Sequence, residues 1–84
     1  MKNLEKLKKK IIYRSAYRGT KEMDLLLSSF VKQHINKLSY TDLLELKKFI
    51  KIEDKAINDF YYNNIITDEI RNNPISNMLK DFKY

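Results

Sequence analysis

Gly19 is the only glycine in a chain of 84 residues. It falls between a basic segment that ends in Arg14 and Arg18 and an apolar-periodic segment that opens with Glu22 and Asp24. That order reads as a helix, a tight turn and a second helix. Glycine has no Cβ and can take the left-handed conformation that stops one helix while the next begins almost at once, so a left-handed Gly19 is expected. Thr20 then caps the second helix through its hydroxyl, and Glu22 and Asp24 complement the positive end of its dipole.

The remaining chain keeps the helical period. Leu4, Leu7 and Ile11 lie at i, i+3 and i+7 behind a capping Asn3, which predicts a one-sided amphipathic helix over about 3–17. In the second helix Met23, Leu26, Leu27, Phe30, Val31 and His34 make a broad apolar stripe, so this is the expected core helix, closed by Asn36 and Lys37. Ser39 caps a third, with Leu43, Leu46, Phe49 and Ile50 inward and Lys47, Lys48 and Lys51 toward water. Glu53 and Asp54 supply a break and a new cap for a fourth, which carries Ile57, Phe60 and Tyr61 and ends at Asn63 and Asn64. Thr67, Asp68 and Glu69 begin another. Pro74 lacks an N–H and disfavours α geometry in the residue before it, so Asn73 should leave the helix. A last turn or two restarts with Ile75, Met78, Leu79 and Phe82, in a tail over 74–84 that either packs or dangles. Without strand alternation, repeats or a low-complexity linker, the expected fold is all-α: one domain over 1–84, a bundle of about five short helices.

Several function classes lose their means. A chain this short buries only about 60 to 65% of its unfolded surface, which leaves little room for an enzymatic cleft. Cysteine is absent and histidine occurs once, so nucleophile and base pairs are largely missing, and no Gly-rich loop cradles a phosphate. A lone His34 at a helix end is a packing or capping residue, because a metal site needs companions. No catalytic, metal-binding or stable cofactor site is expected. No apolar run reaches bilayer length and the N-terminal MKNLEKLKKKII lacks the pattern of a secretory signal, so the expectation is a soluble, bacterial cytoplasmic protein without membrane insertion.

Charge is concentrated at one end. The net charge is +6, yet residues 1–21 hold eight basic side chains against Glu5 alone, so they carry +7 and the rest of the chain −1. Such a patch either steers an acidic partner or a polyanion, or is a solvated lysine face. Arg14 and Arg18 stand apart because they flank the turn, where they can complement the helix dipole or bind a carboxylate of a partner. Tyr13 and Tyr17 sit beside them at helical spacing, as core edge or as a stacking surface. A small basic nucleic-acid-binding or regulatory protein is therefore one reading, and a structural subunit of a stable complex another.

The turn also carries a resemblance. Arg18-Gly19-Thr20-Lys21-Glu22-Met23-Asp24, preceded by Tyr13-Arg14-Ser15 and followed by Leu25-Leu26-Leu27 and Phe30, resembles the signature of the succinate dehydrogenase flavinylation factors, the small SdhE or YgfY-like assembly proteins. The match spans roughly residues 11 to 34; the rest agrees in length and helical layout. The resemblance implies a YgfY-like helical fold and a non-enzymatic assembly factor. It implies a partner, the flavoprotein subunit of succinate dehydrogenase or fumarate reductase, to which FAD becomes covalently attached. It places Arg14, Tyr17, Arg18, Gly19, Glu22 and Asp24 on the partner-binding surface of an expected monomer, with no nucleic acid involved. Relatives often show an Asp-Pro-Asp-Leu run with a tryptophan soon after. This chain has Asp54-Lys55-Ala56-Ile57 and Phe60 instead, so no role is carried over to that turn.

Overall fold

A computed structural model describes residues 3–84; Lys2, one of the eight basic residues named above, lies outside them. Six helices follow one another, α1 (Leu4–Ser15), α2 (Lys21–His34), α3 (Tyr40–Phe49), α4 (Asp54–Asn63), α5 (Asp68–Arg71) and α6 (Ile75–Asp81), and no strand occurs among the described residues. The class is all-α as expected, with six helices rather than about five because the segment after Asn64 splits at Pro74 into a single turn and a short helix.

The helices start where side-chain caps allow. Asn3, Thr20, Ser39 and Thr67 each accept a hydrogen bond from the backbone N–H three residues on, in Lys6, Met23, Asp42 and Ile70. These bonds satisfy N–H groups that the helix itself leaves unpaired. At the other end of α4, Asn64 takes the left-handed conformation with φ 58°, which the short polar side chain of asparagine tolerates.

The core follows the stripe of α2. Met23, Leu26, Leu27, Phe30 and Val31 are buried together with Ile11, Leu43, Leu46, Phe49, Ile50, Ile57 and Phe60 in one cluster. In α1 the stripe is narrower than its spacing suggests: Ile11 is fully buried and Leu7 half-buried, but Leu4 is exposed. His34 packs, its ring against those of Phe30 and Phe82 and its Nδ1 on the Phe30 carbonyl at 2.8 Å.

The C-terminal segment packs. Ile75, Leu79 and Phe82 join the core, and α6 lies against α3 and α4. Asn73 makes this possible. Its buried side chain donates from Nδ2 to the Glu45 carbonyl of α3 at 2.9 Å and accepts at Oδ1 from the Ile75 N–H at 2.8 Å. Asn73 thus leaves the helix before Pro74, opens α6 and ties it to α3. Ser76 Oγ donates to the Ile70 carbonyl and Tyr61 Oη to the Phe82 carbonyl. Replacing Asn73 by Ala removes both bonds and leaves the buried Ile75 N–H without its acceptor. A loss of about 1–3 kcal/mol is expected, seen as a lower urea midpoint at unchanged slope.

Candidate functional site

The site is built around the turn between α1 and α2, and its conformation differs from expectation. The left-handed residue is Tyr17, at φ 57°, and Gly19 has no positive φ. Ala16 leaves α1 in an extended conformation, and Tyr17 then reverses the chain. For a bulky side chain this conformation is strained, by about 1–2 kcal/mol, so something must hold it.

Arg18 does so. Its Nε donates to Asp54 Oδ1 at 2.8 Å, and Nη2 meets the same oxygen at 2.6 Å. Nη1 reaches the carbonyls of Arg14 at 2.9 Å and Ile50 at 2.7 Å, while Nη2 also donates to Ile52 O at 3.2 Å. One guanidinium thus binds the end of α1, the end of α3 and the first residue of α4. Only a planar fork of five N–H donors can serve so many acceptors in a fixed arrangement. The Arg18 side chain is 12% exposed and that of Asp54 27%. Arg18 is therefore not free for a carboxylate of a partner, the role its position by the turn suggested.

Gly19 is required here by close approach rather than by φ. Its N–H donates to Asp54 Oδ2 at 2.8 Å, and a Cβ on Gly19 would lie 3.1 Å from that same oxygen. Asp54 cannot easily retreat, because Arg18 holds its other oxygen. The sequence gives Asp54 as a helix start, yet no side chain caps α4 and the Asp54 carboxylate points across to the turn. An acid opening a helix already has a local explanation, so nothing in its spacing reveals the long-range partner.

The other candidates lie outside this clamp. Arg14 is exposed in the last turn of α1. Tyr13 and Tyr17 project into solvent, Tyr17 with 79% of its surface exposed, and their rings touch with centroids 5.4 Å apart; neither belongs to the core edge. Asp24 is half-buried and Glu22 exposed. Glu22 forms the ridge between two open depressions. One, of about 400 Å³, is lined by Thr20, Met23, Asp54, Lys55 and Asn58; the other, of about 540 Å³, by Lys21, Asp24, Leu25, Ser28 and Tyr84. Among the described residues, Glu22 has no hydrogen-bond or ion-pair partner, and no group of His, Asp and Glu is arranged to hold a metal ion.

Comparison with known proteins identifies the family. A family model described as the flavinator of succinate dehydrogenase matches residues 9–83. The chain belongs to this family. It is 41% identical over 54 residues to the mitochondrial succinate dehydrogenase assembly factor 2 of Dictyostelium discoideum, covering 64% of this chain and 38% of that protein. To the mitochondrial succinate dehydrogenase assembly factor 2 of Meyerozyma guilliermondii it is 40% identical over 58 residues, 69% of this chain and 41% of that one. The chain thus spans about two fifths of the length of these relatives. The resemblance seen around Arg18 and Gly19 therefore extends well beyond residue 34. The expectation of a bacterial cytoplasm is overturned, since both relatives are mitochondrial proteins of eukaryotes. Absence of cysteine excludes disulfides but does not tell one reducing compartment from another. The nucleic-acid-binding alternative finds no support in the family or the relatives. No helix among the described residues is long and apolar enough to cross a membrane.

Two measurements test the site's physics. Arg18→Lys retains the charge but not the fork, so it and Asp54→Ala should each lower stability by about 2–3 kcal/mol. That is less than for a fully buried pair, because Asp54 is partly exposed. Equal stability of Arg18→Lys and wild type in urea would contradict the clamp. The second concerns Tyr62, whose hydroxyl shares a 2.7 Å hydrogen bond with that of Tyr84. That bond, then burial and nearby charges including Glu22, push its pKa up from 10.0 to about 12. The folded state holds this proton more tightly than the unfolded chain, so the contribution is complete below pH 10 and lost as pH rises toward about 12. Burial also raises Tyr61, so a tyrosinate absorbance titration should show a late-titrating fraction in the wild type, with the Tyr62 part of it moved back toward 10 in Tyr84→Phe.

Proposed function

We propose that this chain is a non-catalytic assembly factor that binds the flavoprotein subunit of succinate dehydrogenase and promotes covalent attachment of FAD to it. The observation that carries this reading is the family match over residues 9–83, together with a turn whose shape is fixed internally while Glu22, Arg14 and Tyr17 remain outside. Fumarate reductase flavoprotein is a second candidate partner of the same kind.

The chemistry of flavin attachment belongs to the partner. The chain has no cysteine, its one histidine is packed between aromatic rings, and its arginine clamp is engaged. What such a surface can supply is differential affinity. By binding more tightly to the flavoprotein conformation that holds its acceptor side chain against the isoalloxazine ring, it raises the population of that conformation. FAD is then cargo of the partner and is not held stably by this chain.

Within this reading the six turn residues divide their roles. Arg18 and Gly19 set the shape of the turn through Asp54. Glu22 offers an unpaired carboxylate for a charge-assisted hydrogen bond across the interface. Arg14, Tyr17 and Asp24 border it. Covalent flavin on the flavoprotein, read as fluorescence in a denaturing gel, tests this in cells lacking the gene and complemented with wild type or Glu22→Ala. Loss of signal restored by wild type, and reduced at least tenfold with a folded Glu22→Ala protein, is expected. An unchanged signal in the deletion would overturn the assignment.

A further inference from the structure

The exposed side of α2 carries a feature that the turn motif does not include. Leu25 lies off the buried stripe formed by Met23, Leu26, Phe30 and their neighbours, and 55% of its surface meets solvent. Tyr84, 51% exposed, stands across from it, and the two face each other in the 540 Å³ groove whose remaining lining is Lys21, Glu22, Asp24 and Ser28. Tyr84 is fixed rather than loose: its hydroxyl is bonded to that of Tyr62 on α4, and its ring stacks on Phe82 at 6.4 Å between centroids. Glu22 is close enough for its charge to act on Tyr62. A preformed apolar cleft therefore runs directly off the unpaired carboxylate of Glu22.

We infer that this groove seats a segment of the flavoprotein subunit that carries an arginine or lysine beside a large apolar side chain. The inference rests on the function proposed above and names the chemistry of its partner. Two carboxylates against one ammonium make the groove locally acidic on a chain of net charge +6. Charge complementarity therefore calls for a cation at the Glu22 end. Leu25 and the ring of Tyr84 then desolvate an apolar neighbour, the arrangement of aromatic anchor and polar rim found where binding energy concentrates. The same acidity disfavours a nucleic acid or an anionic membrane at this place.

The test replaces Leu25 or Tyr84 by a photoreactive phenylalanine analogue, with Tyr17 and the distant Lys37 as comparison positions. Each protein is irradiated with purified flavoprotein subunit, and adducts are mapped by mass spectrometry. Adducts from 25 and 84 to a single flavoprotein peptide containing an arginine or lysine next to an apolar residue are expected. Leu25→Glu should weaken the complex at least tenfold at an unchanged melting temperature, since Leu25 supports no core contact. Adducts from position 17 without any from 25 or 84 would overturn the groove and leave the flavoprotein reading intact. No adduct from 17, 25 or 84, with flavin attachment independent of the gene, would overturn both. Adducts joining 25 or 84 to a second copy of this chain would also overturn it, making the groove a self-association surface.

Discussion

Arg18 brings together three backbone ends that would otherwise have no reason to meet. Its guanidinium joins the Arg14 carbonyl in the last turn of α1, the Ile50 and Ile52 carbonyls that follow α3 and the first side chain of α4, and Asp54 returns a second contact to the Gly19 N–H. Carbonyls at helix C-termini carry partial negative charge, so one cation answers two helix ends and one carboxylate at once. Without that charge the left-handed Tyr17 would have little to hold it.

That clamp decides what the surface can present. Because Arg18 and Gly19 face inward toward Asp54, the outer side of the turn is left to Arg14, Tyr13 and Tyr17, and the first turn of α2 projects Glu22 without a partner among the described residues. The motif is thus divided by physical role. One half builds a rigid corner and the other half is displayed on it, which is the preorganisation that a binding surface needs if affinity is not to be lost in ordering loops. The packed α6 extends the same logic by holding Tyr84 beside Leu25.

Much of the fold was legible because it depends on local chemistry. Four side-chain caps, the apolar stripe of α2 and the break at Pro74 all follow from residues within a few positions of one another. Where the reading failed, a distant residue had intervened. Gly19 invited a left-handed conformation, but Asp54, 35 residues on, makes its missing Cβ necessary for a different reason, and Tyr17 takes the positive φ. Asn73 reads as a helix break beside a proline; its tie to Glu45 belongs to the packing of α6 on α3.

The sequence by itself determined the helices, their buried faces and the family, since periodicity, capping and the Arg18-Gly19-x-x-Glu22 pattern are all short-range properties of the chain. Tertiary structure alone decided which charges are free. Arg18 and Glu22 stand four residues apart and look equally available, yet one is enclosed by Asp54 and by carbonyls from α1 and the segment after α3, and the other is left in solvent. A side chain's availability depends on which acceptors the fold brings within about 3 Å of it, and those acceptors come from parts of the chain too distant for any local pattern to reveal.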